Sequence, residues 1–243
     1  MRLTRCFVAT PLSTGAEIAL PDSAAAHLVR VLRLREGDEC VLFNGDGHDY
    51  AARIVAAGKR EVRAAVASKS EARNESPLRI VLLQGIARGE KMDLILQKAT
   101  ELGVAAVVPV NSERSEVKLD AERAARRVEH WRNVIVAACE QSGRATIPEL
   151  SAPASLADAA RSVQATLKLT LDPEGEHALS SLPAPSPPSV AVAIGPEGGW
   201  SPRDRETLKS AGFGGLRLGP RILRTETAGL AAIAALQSRF GDL

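Results

Sequence analysis

The sequence predicts an α/β protein in two parts, a small barrel-like β module followed by a larger α/β domain. Three observations predict it. Up to Ala67, short runs alternate apolar and polar residues, as half-buried strands do. From Leu78 onward, continuous apolar runs alternate with helical patterns, as in a sheet covered on both faces. Two glycine-rich turns, Gly195-Pro196-Glu197-Gly198-Gly199 and Leu218 to Thr227, stand near the C-terminus where strand patterns give way to helices. In open α/β sheets, loops beyond the carboxyl ends of strands hold ligands.

Taken in order, Arg5 to Thr10 reads as a short strand. Asp22 is placed to cap a helix through Ala24 to Leu34, with Leu28, Val31 and Leu32 on one face. Glu39 to Phe43 is a strand. Asn44-Gly45-Asp46-Gly47 is a hairpin turn, since Asn-Gly and Asp-Gly tolerate positive φ. Tyr50 to Val55 and Glu61 to Ala67 complete the module. The stretch Ser68 to Pro77 is polar and reads as linker, giving domains over residues 1–70 and 78–243 with 71–77 between them. Strands then follow at Leu78 to Leu83, Val104 to Val110, Ala165 to Leu171, Val190 to Ile194 and Leu216 to Leu218. Between them lie helices at Glu90 to Leu102, stopped by Gly103, and at Asp120 to Ser142. Another runs from Pro202 to Ala211, capped by Ser201. The last helix, Thr227 to Phe240, has almost no polar side, so it is buried in the core or against another subunit.

Composition excludes several classes. The 243 residues carry a formal charge of +2, too little by itself to imply a polyanion partner. With two Trp, one Tyr and four Phe, packing must lean on aliphatic residues. Cys6, Cys40 and Cys139 are odd in number and far apart, so neither a disulfide framework nor a metal site is expected, and the chain reads as cytoplasmic. His27, His48, His130 and His177 are scattered, and none is expected to be a metal ligand or a catalytic group. The first residues lack the apolar run of a signal peptide, and no stretch approaches the ~20 apolar residues of a membrane span.

The chemistry of the turns narrows the ligand. A GxxxxGK loop and a GxGxxG fingerprint are both absent. Glu197 within the first turn disfavours an anionic ligand group and fits a neutral or cationic one. Arg221 and Arg224 stand at a helix entrance, where the dipole opposes cations. Such a placement is explained if Arg224 faces an anionic substrate or pairs with Glu226 or Glu197.

The pair IGPEGGW and LGPRILRTETAG, at this separation, resembles the RsmE-type family of knotted (SPOUT) methyltransferases. ARGEKMDLILQKATELGV at 87–104, ACEQSGR at 138–144 and HLVRVLRLREGDE at 27–39 agree with it. The resemblance implies a PUA-like RNA-binding barrel, an α/β domain with a deep trefoil knot, and a homodimer with its site near the interface. The apolar last helix and Trp131 fit that interface. It implies S-adenosylmethionine-dependent methylation of N3 of a uridine in 16S rRNA of the small ribosomal subunit (uridine 1498 in the usual rRNA numbering), with no DNA or membrane partner. The cofactor loops it implies are the segment after Leu171, the turn Gly195 to Gly199 and Leu218 to Thr225, with Leu171, Gly195, Pro196, Glu197, Gly198, Gly199, Leu218, Gly219, Leu223 and Thr225 as cofactor residues.

Transfer to N3 needs a cation for the developing uracil anion and an acceptor for the N3 proton. Arg224 suits the first role, and Glu226 or Glu140 the second. His27, Arg30, Arg33 and Arg35, joined by Arg5, Arg88 and Lys91, are the expected RNA contacts, with Arg30 and Arg33 three apart on one helical face. Trp200, Phe7 and Tyr50 are the aromatics available for stacking a flipped base. Two other readings stand beside this one: a non-catalytic ribosome-assembly factor on the same fold, and a related knotted enzyme acting on tRNA or on a ribose 2′-hydroxyl.

Overall fold

The computed structural model describes residues 3–58, 61–116 and 120–243. The chain forms two compact units, Met1–Glu75 with Cys139–Ile147, and Ser76–Ala138 with Pro148–Leu243.

The first unit contains β1 (Arg5–Phe7), β2 (Glu17–Ala19), α1 (Asp22–Ala25), β3 (Glu39–Phe43), β4 (His48–Ala57) and β5 (Val62–Glu71). Among the described residues, these five strands form one sheet in the order β1-β3-β4-β5-β2, antiparallel except for the β1–β3 pair. Its core is aliphatic with one buried tyrosine: Leu28, Leu42, Tyr50, Ile54 and Val66 pack together. The glycine turn before β4 forms as the sequence requires. Gly45 and Gly47 have φ of 93° and 83°, and the Asp46 and His48 amides donate to the side chains of Asn44 and Asp46. Contrary to the linker reading of Ser68 onward, β5 continues through Ser68–Glu71. Its backbone there pairs with His48–Ala51 of β4, which outweighs the polar side chains.

The helix of this unit departs from expectation. It begins at Asp22 after Pro21, with no side-chain cap, and from Ala26 to Val31 it is a π-helix. The Leu32 amide accordingly bonds to the His27 carbonyl, five residues back. A π turn breaks the 3.6-residue period. Leu28 is therefore buried while Val31 is 66% exposed and Leu32 42%. Arg33 lies past the helix with φ of 60°, so Arg30 and Arg33 do not share a helical face.

The second unit contains β6 (Arg79–Gly85), α2 (Glu90–Glu101), β7 (Ala106–Asn111), α3 (Ala121–Ser142), β8 (Glu149–Leu150), β9 (Ala154–Ser155) and α4 (Leu156–Ser162). It continues with β10 (Leu167–Leu171), β11 (His177–Ala178), β12 (Ser189–Ile194), α5 (Pro202–Ser210), β13 (Gly214–Arg217) and α6 (Thr225–Phe240). The end of α3, from Cys139, is grouped with the first unit. Among the described residues the sheet has eight strands, all parallel, in the order β11-β13-β10-β12-β6-β7-β8, with β9 also on β7. The two central strands, β6 and β12, are buried except at their first residues, as continuous apolar runs should be.

Helix ends follow their capping residues. Ser201 and Asp204 form a reciprocal box at the start of α5, with amide-to-side-chain distances of 3.0 Å each way, and Pro202 opens the helix. Gly103, at φ of 82°, closes α2. α6 packs on β12, β6 and α2 of its own chain, burying Ala228, Ala232, Ile233 and Leu236. Its far end is tied down by Gln237, whose Nε2 donates to the Leu102 carbonyl at 3.0 Å and whose Oε1 accepts from Ser76 Oγ at 2.7 Å. Trp131 is likewise buried within the chain. Trp131 is thus spent on internal packing, whereas Leu230, Ala231, Ala234 and Ala235 of α6 stay partly exposed.

Candidate active site

The carboxyl ends of β10, β12 and β13 and the loops that leave them enclose a cavity of about 480 Å³, within the usual range for a small-molecule site. It is lined by Leu171, Asp172 and Pro173 after β10, by Ile194 to Glu197, Gly199 and Trp200 after β12, and by Leu216, Leu218, Gly219 and Arg221 to Glu226 after β13. Lys91 of α2, Arg205 of α5 and Ala228 of α6 complete it. The two glycine-rich turns thus form two walls of one pocket.

Backbone close approach shapes the pocket. A Cβ on Gly85, the last residue of β6, would stand 2.5 Å from the Pro196 nitrogen and 2.9 Å from the Gly195 carbonyl carbon. Only glycine lets the first turn lie against the strand end. Within the turn, the Gly199 amide donates to the Pro196 carbonyl at 2.8 Å, and Gly199 has φ of 64°. The two walls are joined by Thr225. Its hydroxyl donates to the Gly195 carbonyl at 2.6 Å and accepts from buried Gln84 Nε2 at 3.0 Å.

Charge is distributed unevenly. Lys91 Nζ lies 3.4 Å from Glu197 Oε1 and 3.8 Å from Glu226 Oε2, and Arg205 is paired with Asp172. The Arg88 amide donates to Glu197 Oε1 at 3.1 Å. Partial burial works to raise the Glu197 carboxyl, but the Arg88 amide and the Lys91 ammonium outweigh it and hold it below the usual glutamate range. Arg221 and Arg224 are exposed, and neither has a side-chain partner among the described residues. Lys91, not Arg224, pairs with Glu197 and Glu226.

Most residues read from the sequence converge here, and several do not. Leu171, Gly195, Pro196, Glu197, Gly199, Leu218, Gly219, Leu223, Thr225, Arg224 and Glu226 line the cavity. Gly198 does not. Its carbonyl accepts from Arg114 at 3.0 Å, on the turn's outer side. Glu140 belongs to the first unit, where its Oε1 accepts the Phe7 amide at 2.9 Å, a structural task. Arg5 is 8% exposed, paired with Asp49 and bonded to the Arg144 carbonyl, so it is not free for a phosphate. Lys91, expected to meet RNA, is a cavity residue. Arg88 is exposed but paired with Glu116. Arg30, Arg33 and Arg35 are exposed, and His27 is half-buried.

The stacking aromatics also change role. Tyr50 is buried, with its hydroxyl donating to Asp46 at 2.7 Å, and Phe7 packs edge-on against Phe43. Trp200 is 6% exposed and donates to Thr170 Oγ1 at 3.0 Å, so it is wall rather than platform. The segment after Leu171, implied as a cofactor loop, supplies Asp172 and Pro173. Sequence reasoning missed Ile194, Arg205, Leu216 and Ala228. Nothing local marks Arg205, whose partner is 33 residues away.

Comparison with known proteins gives concordant results. The model of the RNA methyltransferase domain matches residues 74–237, and that of the RNA methyltransferase PUA domain matches residues 20–66. The ribosomal RNA small subunit methyltransferase E of Buchnera aphidicola subsp. Schizaphis graminum is 33% identical over 243 residues, covering 100% of this chain and 98% of its own. That of Bacillus subtilis is 33% identical over 220 residues, covering 86% and 85%. A methyltransferase of Legionella pneumophila, solved with its bound cofactor S-adenosylmethionine, superposes with a TM-score of 0.96 at 41% identity, covering 100% of both chains. The ribosomal RNA small subunit methyltransferase E of Neisseria gonorrhoeae, bound to S-adenosylmethionine, gives 0.93 at 39%, also covering 100% of both. With a PUA-like first unit and a parallel α/β second unit matched end to end by such relatives, the chain belongs to the RNA methyltransferase family, in its ribosomal RNA small subunit methyltransferase E group.

Proposed function

We propose that this protein methylates N3 of a specific uridine in 16S rRNA of the small ribosomal subunit, with S-adenosylmethionine as methyl donor. The observation that carries the reading is the cavity built from the two glycine-rich turns, in a chain whose close structural relatives were solved with that cofactor. The residues present fit it. Backbone of both turns and the apolar Leu171, Leu216, Leu218 and Leu223 suit an uncharged adenosine. Glu197, Glu226 and Asp172, paired with Lys91 and Arg205, keep the lining from being uniformly cationic as a phosphate site would be. S-adenosylmethionine, when bound, supplies the methyl group and its leaving sulfur.

The chain's own residues do the rest. Arg224, exposed at the cavity and without a side-chain partner among the described residues, stabilises charge on the uracil as N3 loses its proton. Glu226 accepts that proton: it lines the cavity, and with Oε2 buried toward Lys91 its Oε1 is the oxygen available there. Exposed Arg30, Arg33 and Arg35 of the first unit, with half-buried His27, are proposed to meet RNA. So is Arg88 of the second unit. Residues 1–70 are proposed as the RNA-binding domain and 78–243 as the catalytic domain, with the linker of 71–77 beginning only after β5 ends at Glu71. A homodimer in the cytoplasm is part of the proposal; among the described residues no helix is long and apolar enough to cross a membrane. So is the knot. α6 follows β13, which lies between β11 and β10, yet packs on β12 and β6 further into the sheet.

The test is to map methyl marks by mass spectrometry on 16S rRNA from a deletion strain. Loss of one N3-methyluridine, restored by the wild-type chain and not by Arg224→Ala, is the expected result. A mark on tRNA or on a ribose hydroxyl would overturn it, as would a chain that binds no S-adenosylmethionine by calorimetry.

A further inference from the structure

Lys91 is the second residue of α2, which starts after Gly89 at φ of 54°. A cation in the first turn of a helix opposes the helix dipole, so local structure does not favour it there. Its surroundings do. The ammonium lies within 4 Å of two carboxylates from two different cavity walls, Glu197 of the first turn and Glu226 of the first turn of α6. Glu197 is also held by the Arg88 amide, so it is fixed to the segment that leads into α2. Glu226 is not fixed by any hydrogen bond to its Oε2, although its side chain is only 17% exposed. At 3.8 Å the ammonium is beyond hydrogen-bond reach but well inside strong Coulomb range. Oε2 is thus held inward by the ammonium, and Oε1, neither buried nor hydrogen-bonded among the described residues, is the oxygen left for a donor in the cavity.

We propose that Lys91 is a positioning residue that ties the first turn to the entrance of α6 and aims the Glu226 carboxylate at the reacting base. The inference rests on the functional reading above, and it removes Lys91 from the RNA-contact surface. A phosphate-binding lysine should present a free ammonium, whereas this one is engaged by two carboxylates.

The test is a kinetic double-mutant cycle on the full chain, with small ribosomal subunits as substrate, using Lys91→Met, Glu226→Gln and the double variant. Lys91→Met should lower kcat by about 10- to 100-fold, the scale of a misplaced reacting group, with the KM for RNA within about twofold of wild type. In the Glu226→Gln background it should add less than about twofold. Lys91→Arg, which keeps the charge, should recover most of the rate, and retained cofactor binding shows that the variants fold. A raised RNA KM at unchanged kcat overturns the proposal in favour of a phosphate contact. So do independent, multiplying effects of the two substitutions in an active wild-type background. A wild-type chain that binds S-adenosylmethionine yet transfers no methyl group overturns the functional reading, and this one with it.

Discussion

Gly85→Ala should damage cofactor binding although residue 85 does not line the cavity. The added Cβ would meet the Pro196 nitrogen at 2.5 Å and Pro196 Cδ at 2.7 Å, about 0.9 Å inside ordinary contact at 3.4 Å. β6 cannot retreat, because it is hydrogen-bonded to β12 on one side and β7 on the other. The first turn must yield, and it carries Gly195, Pro196, Glu197 and Gly199 of the cavity wall by nearly 1 Å. A misplacement of that size costs on the order of 100-fold where geometry is demanding. The Kd for S-adenosylmethionine should therefore rise about 10- to 100-fold, or about 1.4–2.8 kcal/mol. Overpacking should also cost about 1–3 kcal/mol of stability. Gly229→Ala is the matched control. Its Cβ would meet nothing closer than 3.5 Å, so it should bind normally and gain up to about 1 kcal/mol from helix propensity. Calorimetric titration and thermal unfolding measure both. If Gly85→Ala binds S-adenosylmethionine with wild-type affinity, the argument that this close approach holds the wall is wrong.

Other outcomes follow from single contacts. Thr225→Val removes the hydroxyl shared by Gln84 and the Gly195 carbonyl; Gln84 Nε2 keeps the Gly85 carbonyl, so the loss of one part-buried acceptor's partner should cost about 1–3 kcal/mol in urea unfolding, and Thr225→Ser should restore most of it. Burial pushes the Cys6 and Cys139 thiols up to about 12 and Cys40 to about 11; all three should resist iodoacetamide at about pH 8 in the folded chain and react in denaturant, and rapid native labelling would refute their burial. Glu197 is held below the usual glutamate range, so its contribution to stability is present above its unfolded value and lost as pH falls through the folded one. The wild type's lead over Glu197→Gln in thermal stability should therefore shrink from about pH 6 toward about pH 3, and a lead that grew on acidification would contradict the pairing with Lys91 and the Arg88 amide.

Much of the fold was legible because local rules and tertiary demands agree. The Ser201 box, the Gly103 stop, the glycine turn before β4 and the apolar runs of β6 and β12 are specified by neighbours in the chain. Short elements such as β8, β9 and β11 were not legible, because two residues carry no period. The π-helix at Ala26–Val31 is not legible for a related reason: its wider turn breaks the 3.6-residue period by which a helix face is read. The apolar α6 could be read as buried but not as buried by its own sheet.

By itself, the sequence determined that two glycine turns at strand ends form a ligand site without a phosphate loop, and its motifs pointed to the family. Only the tertiary structure decided which charges meet there. Pairings such as Lys91 with Glu197 and Glu226, or Arg205 with Asp172, join residues 33 to 135 positions apart in the chain. Electrostatic energy depends on separation in space and on burial, not on separation along the chain. A sequence can therefore show a cation at a loop or a helix start, as with Lys91, Arg5 and Arg224. It takes the fold to show that the first two are engaged by carboxylates and that Arg224 stands free at the cavity.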